Sequence, residues 1–106
     1  MINYIDDKWI EQLSKNDLHL PLYQKVIKLQ EEVGELAQAY LAHVDSPNKS
    51  KSVDGTISDV IEELCDVINV SMDIINWITF EDEELQILTK IMFAKKLKKW
   101  EDKQHD

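Results

Sequence analysis

The sequence predicts an all-α protein, and three observations predict it. Glycine and proline are scarce, two of each, so little in the chain punctuates a helix. Leu, Glu and Lys are abundant, and all three are good helix formers. Apolar residues recur at three- and four-residue steps over long stretches, the period of an amphipathic helix. The expected architecture is a four- to five-helix bundle, with residues 1–106 forming a single domain. One cysteine, Cys65, rules out an intrachain disulfide. So small a core is therefore expected to be completed by oligomerisation.

An opening helix is expected over Asn3 to Lys15, with Asn3 as N-cap and Ile5, Trp9 and Leu13 facing inward. Residues 16–21 break the pattern, and Pro21 suits the first turn of a second helix. That helix carries Leu22, Val26, Leu29, Val33, Leu36 and Tyr40 as its inward stripe. Residues 45–55 are polar and read as a loop. A third helix follows, capped by Thr56 or Ser58, with Ile57, Ile61, Leu64, Ile68, Ile75 and Ile78 as its stripe. A fourth helix is expected from about Thr79, with Glu81, Asp82, Glu83 and Glu84 in its first turns. Lys95, Lys96, Lys98 and Lys99 crowd its other end, a charge order that suits the helix dipole.

The net charge of −9 argues against a nucleic-acid polymer as partner, because a phosphate backbone would be repelled. A nucleotide held through bridging cations remains compatible with that charge. No apolar run approaches transmembrane length. The opening residues carry Asp6 and Asp7 where a secretory signal would be basic, so a cytoplasmic protein is expected.

Two acidic pairs carry the functional reading. Glu32 and Glu35 stand three apart on the second helix, and Glu63 and Asp66 three apart on the third. Each pair therefore shares a helix face. Antiparallel packing would bring four carboxylates to one spot, where they would repel unless a multivalent cation intervened. Oxygen-only donors favour a hard ion, Mg²⁺ or Mn²⁺. At about 100° per residue, Glu32 falls roughly 80° from the stripe centre, beside Leu36 and Ala39. Glu63 shares an arc with Val67, Val70 and Ile74, with Asp66 at its edge. An acid inside an apolar arc needs a partner. Glu31 points nearly opposite the stripe, and Glu62, Asp59 and Asp73 are expected to be solvated surface charge.

These same residues resemble a known family. Glu31-Glu32-Val33-Gly34-Glu35 followed by Glu63-Leu64-Cys65-Asp66 is similar to the motif pair of the MazG-like, all-α nucleoside triphosphate pyrophosphohydrolases. Residues 36–62 separate the two halves, near the long end of the family's spacing. The resemblance covers roughly residues 20 to 100 and implies a MazG-like bundle assembled as a homodimer or homotetramer. It implies hydrolysis of (d)NTP between the α and β phosphates, giving (d)NMP and pyrophosphate. Glu32, Glu35, Glu63 and Asp66 would hold Mg²⁺, with Glu31 matching an extra Glu suited to activating the water. The resemblance also implies phosphate contacts from the last helix, here Lys90, Lys95 or Lys98, and a base contact from the first helix, here Trp9. Relatives carry an Asn where this chain has Ala94, and arginines where it has none. The alternative is a non-catalytic bundle that binds a nucleotide or a protein partner. A di-iron bundle is disfavoured, because none of His19, His43 and His105 stands three residues after a Glu.

Overall fold

The computed structural model describes residues 20–44 and 56–104. The expected opening helix with Asn3, Ile5, Trp9 and Leu13, and the loop over 45–55, lie outside the described residues. What is described is all helical: α1 (Leu22–Val44), α2 (Ile57–Thr79) and α3 (Glu83–Gln104). These correspond to the second, third and fourth helices expected from the sequence. None is long and apolar enough to cross a membrane.

Each start has a local cause. Pro21 precedes α1, and its carbonyl accepts from the backbone N–H of Gln24 at 3.0 Å and of Lys25 at 3.3 Å. It thus stands just outside the helix, not inside its first turn. Thr56, not Ser58, caps α2: its hydroxyl accepts from the Asp59 N–H, and Asp59 accepts from the Thr56 N–H, both at 3.2 Å. This reciprocal capping box satisfies two otherwise orphaned donors and contributes about 1 kcal/mol. Asp59 is therefore a capping residue.

The break before α3 falls later than expected. Thr79 ends α2 instead of starting α3, and Glu81 takes a left-handed conformation with φ 57°. Asp82 then caps α3 by accepting from the Leu85 N–H at 3.1 Å. The joint is held from both sides, because the Thr79 carbonyl accepts from the Asp82 N–H and from the Gln86 side chain, each at 3.0 Å.

α1 and α2 pack along their lengths, whereas α3, among the described helices, touches α2 alone, and lightly. The hairpin is antiparallel. Lys25, early in α1, meets Asp73, late in α2, and Glu32, in the middle of α1, meets Glu63 and Asp66. The packed face of α1 runs through Lys25, Leu29, Glu32, Leu36 and Ala39. That of α2 runs through Val60, Glu63, Val67, Val70, Ile74 and Trp77.

This corrects the expected stripes. On α1, Leu22, Leu29 and Leu36 are half-buried, but Val26, Val33 and Tyr40 are exposed. On α2, Ile57, Ile61, Leu64, Ile68 and Ile78 are exposed and only Ile75 is partly covered. Both helices carry two apolar arcs, and periodicity does not say which arc meets the neighbour. The arc that meets the neighbour is the one holding the acids, where Lys25 pairs with Asp73 across the seam. The richer aliphatic arcs are left facing outward.

Candidate metal centre

Antiparallel packing brings the two acidic pairs to the middle of the α1–α2 seam. One carboxylate oxygen each from Glu32, Glu63 and Asp66 lie within 4.8 Å of one another. Their exposure is graded: Glu32 is buried, Glu63 half-buried and Asp66 exposed. The site therefore has a closed inner side and an open outer one. Glu35, one turn from Glu32, is exposed, yet it is near enough for its charge to act on Glu63.

The electrostatics are those of crowded acids. Burial pushes the Glu63 carboxyl above its ordinary range, and the charges of Glu35, Asp66 and Glu32 push it further. A hydrogen bond with Glu35 adds to the same effect. Glu32 is only 5% exposed. Its Oε1 accepts from the Lys28 ammonium at 3.0 Å, and this hydrogen bond and charge raise the Lys28 pKa above its ordinary value.

Two acceptors are left over. Glu32 Oε2 and Glu63 Oε2 are both buried and have no hydrogen-bond partner among the described residues. A buried acceptor without a donor is costly and uncommon. Two of them, on acids from different helices, suit a cation that would satisfy both. The donor set is oxygen only, with an exposed side on which water or a ligand oxygen can complete the shell. Those are the preferences of Mg²⁺ and Mn²⁺.

The other sequence-derived candidates fall elsewhere. Glu31 is exposed and lies outside the three-acid cluster; it acts on Lys28 only through its charge. Glu62 is exposed as expected. Asp73 is not a solvated surface charge: its Oδ2 lies 2.7 Å from the Nζ of Lys25, itself 5% exposed. Lys90, Lys95 and Lys98 are exposed along α3, with no ion pair to the acids. α3 meets α2 lightly and, among the described helices, has no contact with α1. Trp9 lies outside the described residues.

Sequence reading missed Lys25 and Lys28, and both had a signal. Lys28 stands four residues before Glu32, the spacing of a helical ion pair. Lys25 stands in the same arc as Leu29, Glu32 and Leu36, where a charge demands a partner. Beside them an open cleft of about 440 Å³ is lined by Leu20, Gln24, Lys25, Lys28, Asn69, Val70 and Asp73. Its size is within the range of about 300–1,000 Å³ usual for small-molecule sites. Lys28 belongs to both the cleft wall and the acidic cluster.

Comparisons of the chain with known protein families, with curated proteins and with solved structures give no match.

Proposed function

We propose that this chain is a Mg²⁺-dependent nucleotide pyrophosphohydrolase that cleaves (d)NTP to (d)NMP and pyrophosphate, working as a MazG-like helical bundle in a homo-oligomer. The observation that carries this reading is the pair of buried, unpartnered oxygens on Glu32 and Glu63 beside Asp66. Such a pair is unfavourable in a purely structural seam and suits a cation-holding one. The substrate class comes from the motif resemblance of Glu32, Glu35, Glu63 and Asp66.

In this reading the four acids hold Mg²⁺, which when bound neutralises phosphate charge and favours water attack. Glu32 and Glu63 form the inner wall, fixed by burial. Asp66 and Glu35 stand at the exposed side, where a triphosphate enters. The adjoining cleft takes the nucleoside and the phosphate nearest to it. Glu31 would act on water from the rim, a weaker assignment because it is exposed and lies outside the three-acid cluster. The exposed aliphatic arcs of α1 and α2 supply the oligomer interface. Lysines 90, 95 and 98 of a neighbouring α3 would reach the phosphates there.

The test is pyrophosphate release from a panel of nucleoside and deoxynucleoside triphosphates, with Mg²⁺ and with EDTA, alongside Glu63→Gln. Metal-dependent release of pyrophosphate and monophosphate, lost in the variant, supports the enzyme. Orthophosphate as the direct product rejects α–β cleavage. The position of the α3 lysines, apart from the acids in one chain, favours a second reading, a bundle that binds nucleotide without turnover. Nucleotide binding with no product across the panel would select it.

A further inference from the structure

We propose that Lys28 is a cation-exchange residue, holding Glu32 while no metal is bound and turning to an anionic oxygen of the ligand in the adjoining cleft once a metal displaces it. The inference rests on the metal reading above. Three observations carry it. The Lys28 ammonium sits 3.0 Å from Glu32 Oε1, supplying one positive charge at the acidic cluster. The other oxygen of Glu32 is buried and unpartnered, so the lysine satisfies only half of that carboxylate. The Lys28 side chain is 56% exposed and also lines the cleft.

The chemistry follows from the two ends of that reach. A divalent ion pulled in by Glu32, Glu63 and Asp66 repels the ammonium and competes for the same carboxylate. A lysine on a flexible four-carbon stem, half in solvent, can turn with little loss of packing. Released, it presents an ammonium to the cleft beside the metal, where a phosphate would arrive. Lysine is suited to this as a compact point charge that moves. Lys25 cannot do the same, because it is buried and bound to Asp73.

Manganese binding by calorimetry tests the exchange without turnover, with inorganic tripolyphosphate as the anion probe. Lys28→Met is expected to bind Mn²⁺ several-fold tighter and, once loaded, tripolyphosphate several-fold more weakly. Removing a positive charge could do both through its field alone, so a second variant separates contact from field. Gln24→Lys combined with Lys28→Met returns the charge to the cleft wall one turn before Lys28 and about two turns from Glu32. It is expected to recover tripolyphosphate binding while keeping the tighter Mn²⁺ binding. Mn²⁺ affinity that falls back to the wild-type value in the double variant overturns the exchange. So does equal Mn²⁺ affinity in wild type and Lys28→Met. A wild-type protein that binds no Mn²⁺ overturns the metal reading itself, and the exchange with it.

Discussion

Lys25 Nζ lies 2.7 Å from Asp73 Oδ2, joining the first turn of α1 to the later turns of α2. The pair is nearly dry, with side-chain exposures of 5% and 15%. Reaching across the seam, it fixes how far one helix has slid along the other. A slip of one turn, about 5.4 Å, would move Glu32 away from Glu63. The ion pair and the acidic cluster therefore depend on one register.

Breaking one half of that pair should cost more than deleting both. Lys25→Met is expected to lower the unfolding free energy by about 3 kcal/mol, because it breaks a nearly dry ion pair from one side. Lys25→Met with Asp73→Leu should recover most of the loss. Urea denaturation of wild type, these two variants and Asp73→Leu alone measures this. A double-variant loss equal to the sum of the two single losses would mean that the pair contributes no coupling.

The crowded acids predict an unusual pH response. The Glu63 pKa is raised in the folded chain above its ordinary value of 4.5, so the folded state holds this proton more tightly than the unfolded one. Without metal, that contribution is present below the ordinary value and is lost as pH rises through the raised one. In EDTA at neutral pH, Glu63→Gln should therefore melt at a higher temperature than wild type. Mg²⁺ should reverse the order by stabilising wild type alone, by about 2.7 kcal/mol at a hundred times its Kd. Thermal scans that rank wild type above the variant in EDTA would contradict this account of the cluster.

Gly34 lies in α1 between Glu32 and Glu35, and a Cβ placed there meets nothing within 4 Å. Its backbone is helical, so alanine fits without strain. Gly34→Ala should raise stability by about 0.5–1 kcal/mol through helix propensity and reduced unfolded-state freedom. A loss of stability would instead reveal close approach of another surface at that position.

Ile61 and Ile68 stand seven apart on α2, 53% and 40% exposed, and burying each such side chain contributes about 1.5–3 kcal/mol. If that arc is a subunit interface, Ile61→Glu with Ile68→Glu should reduce the assembly to monomers in sedimentation equilibrium. Wild-type protein sedimenting as a monomer at micromolar concentration would end this assignment.

How much of this was legible in the sequence varies by element. Helical content was, because few breakers interrupt a three- and four-step pattern. The meeting of Glu32, Glu63 and Asp66 was legible too, since helix geometry puts Glu32 and Glu63 in apolar arcs with Asp66 at the edge, and antiparallel packing does the rest. The choice of arc was not: Val60, Val67 and Val70 look no more inward than Ile57, Ile61 and Leu64. The packed arc carries the cross-seam pair of Lys25 with Asp73, a contact between residues far apart in the chain that no local pattern announces. The end of α2 was missed for a similar reason. Thr79 and Asp82 are both acceptable caps, and the Gln86 contact to the Thr79 carbonyl favours the later start.

The bend over residues 80–82 also defines which other shape lies nearest in energy. No glycine or proline occurs from Thr56 to Gln104, so local propensity would tolerate one unbroken rod across the joint. Glu81 holds a left-handed backbone that costs roughly 1–2 kcal/mol in a residue with a Cβ, and the Asp82 cap offsets much of it. Straightening would carry α3 away from its own α2 and end the contact they share. The same three residues thus set the direction in which the last helix leaves the hairpin.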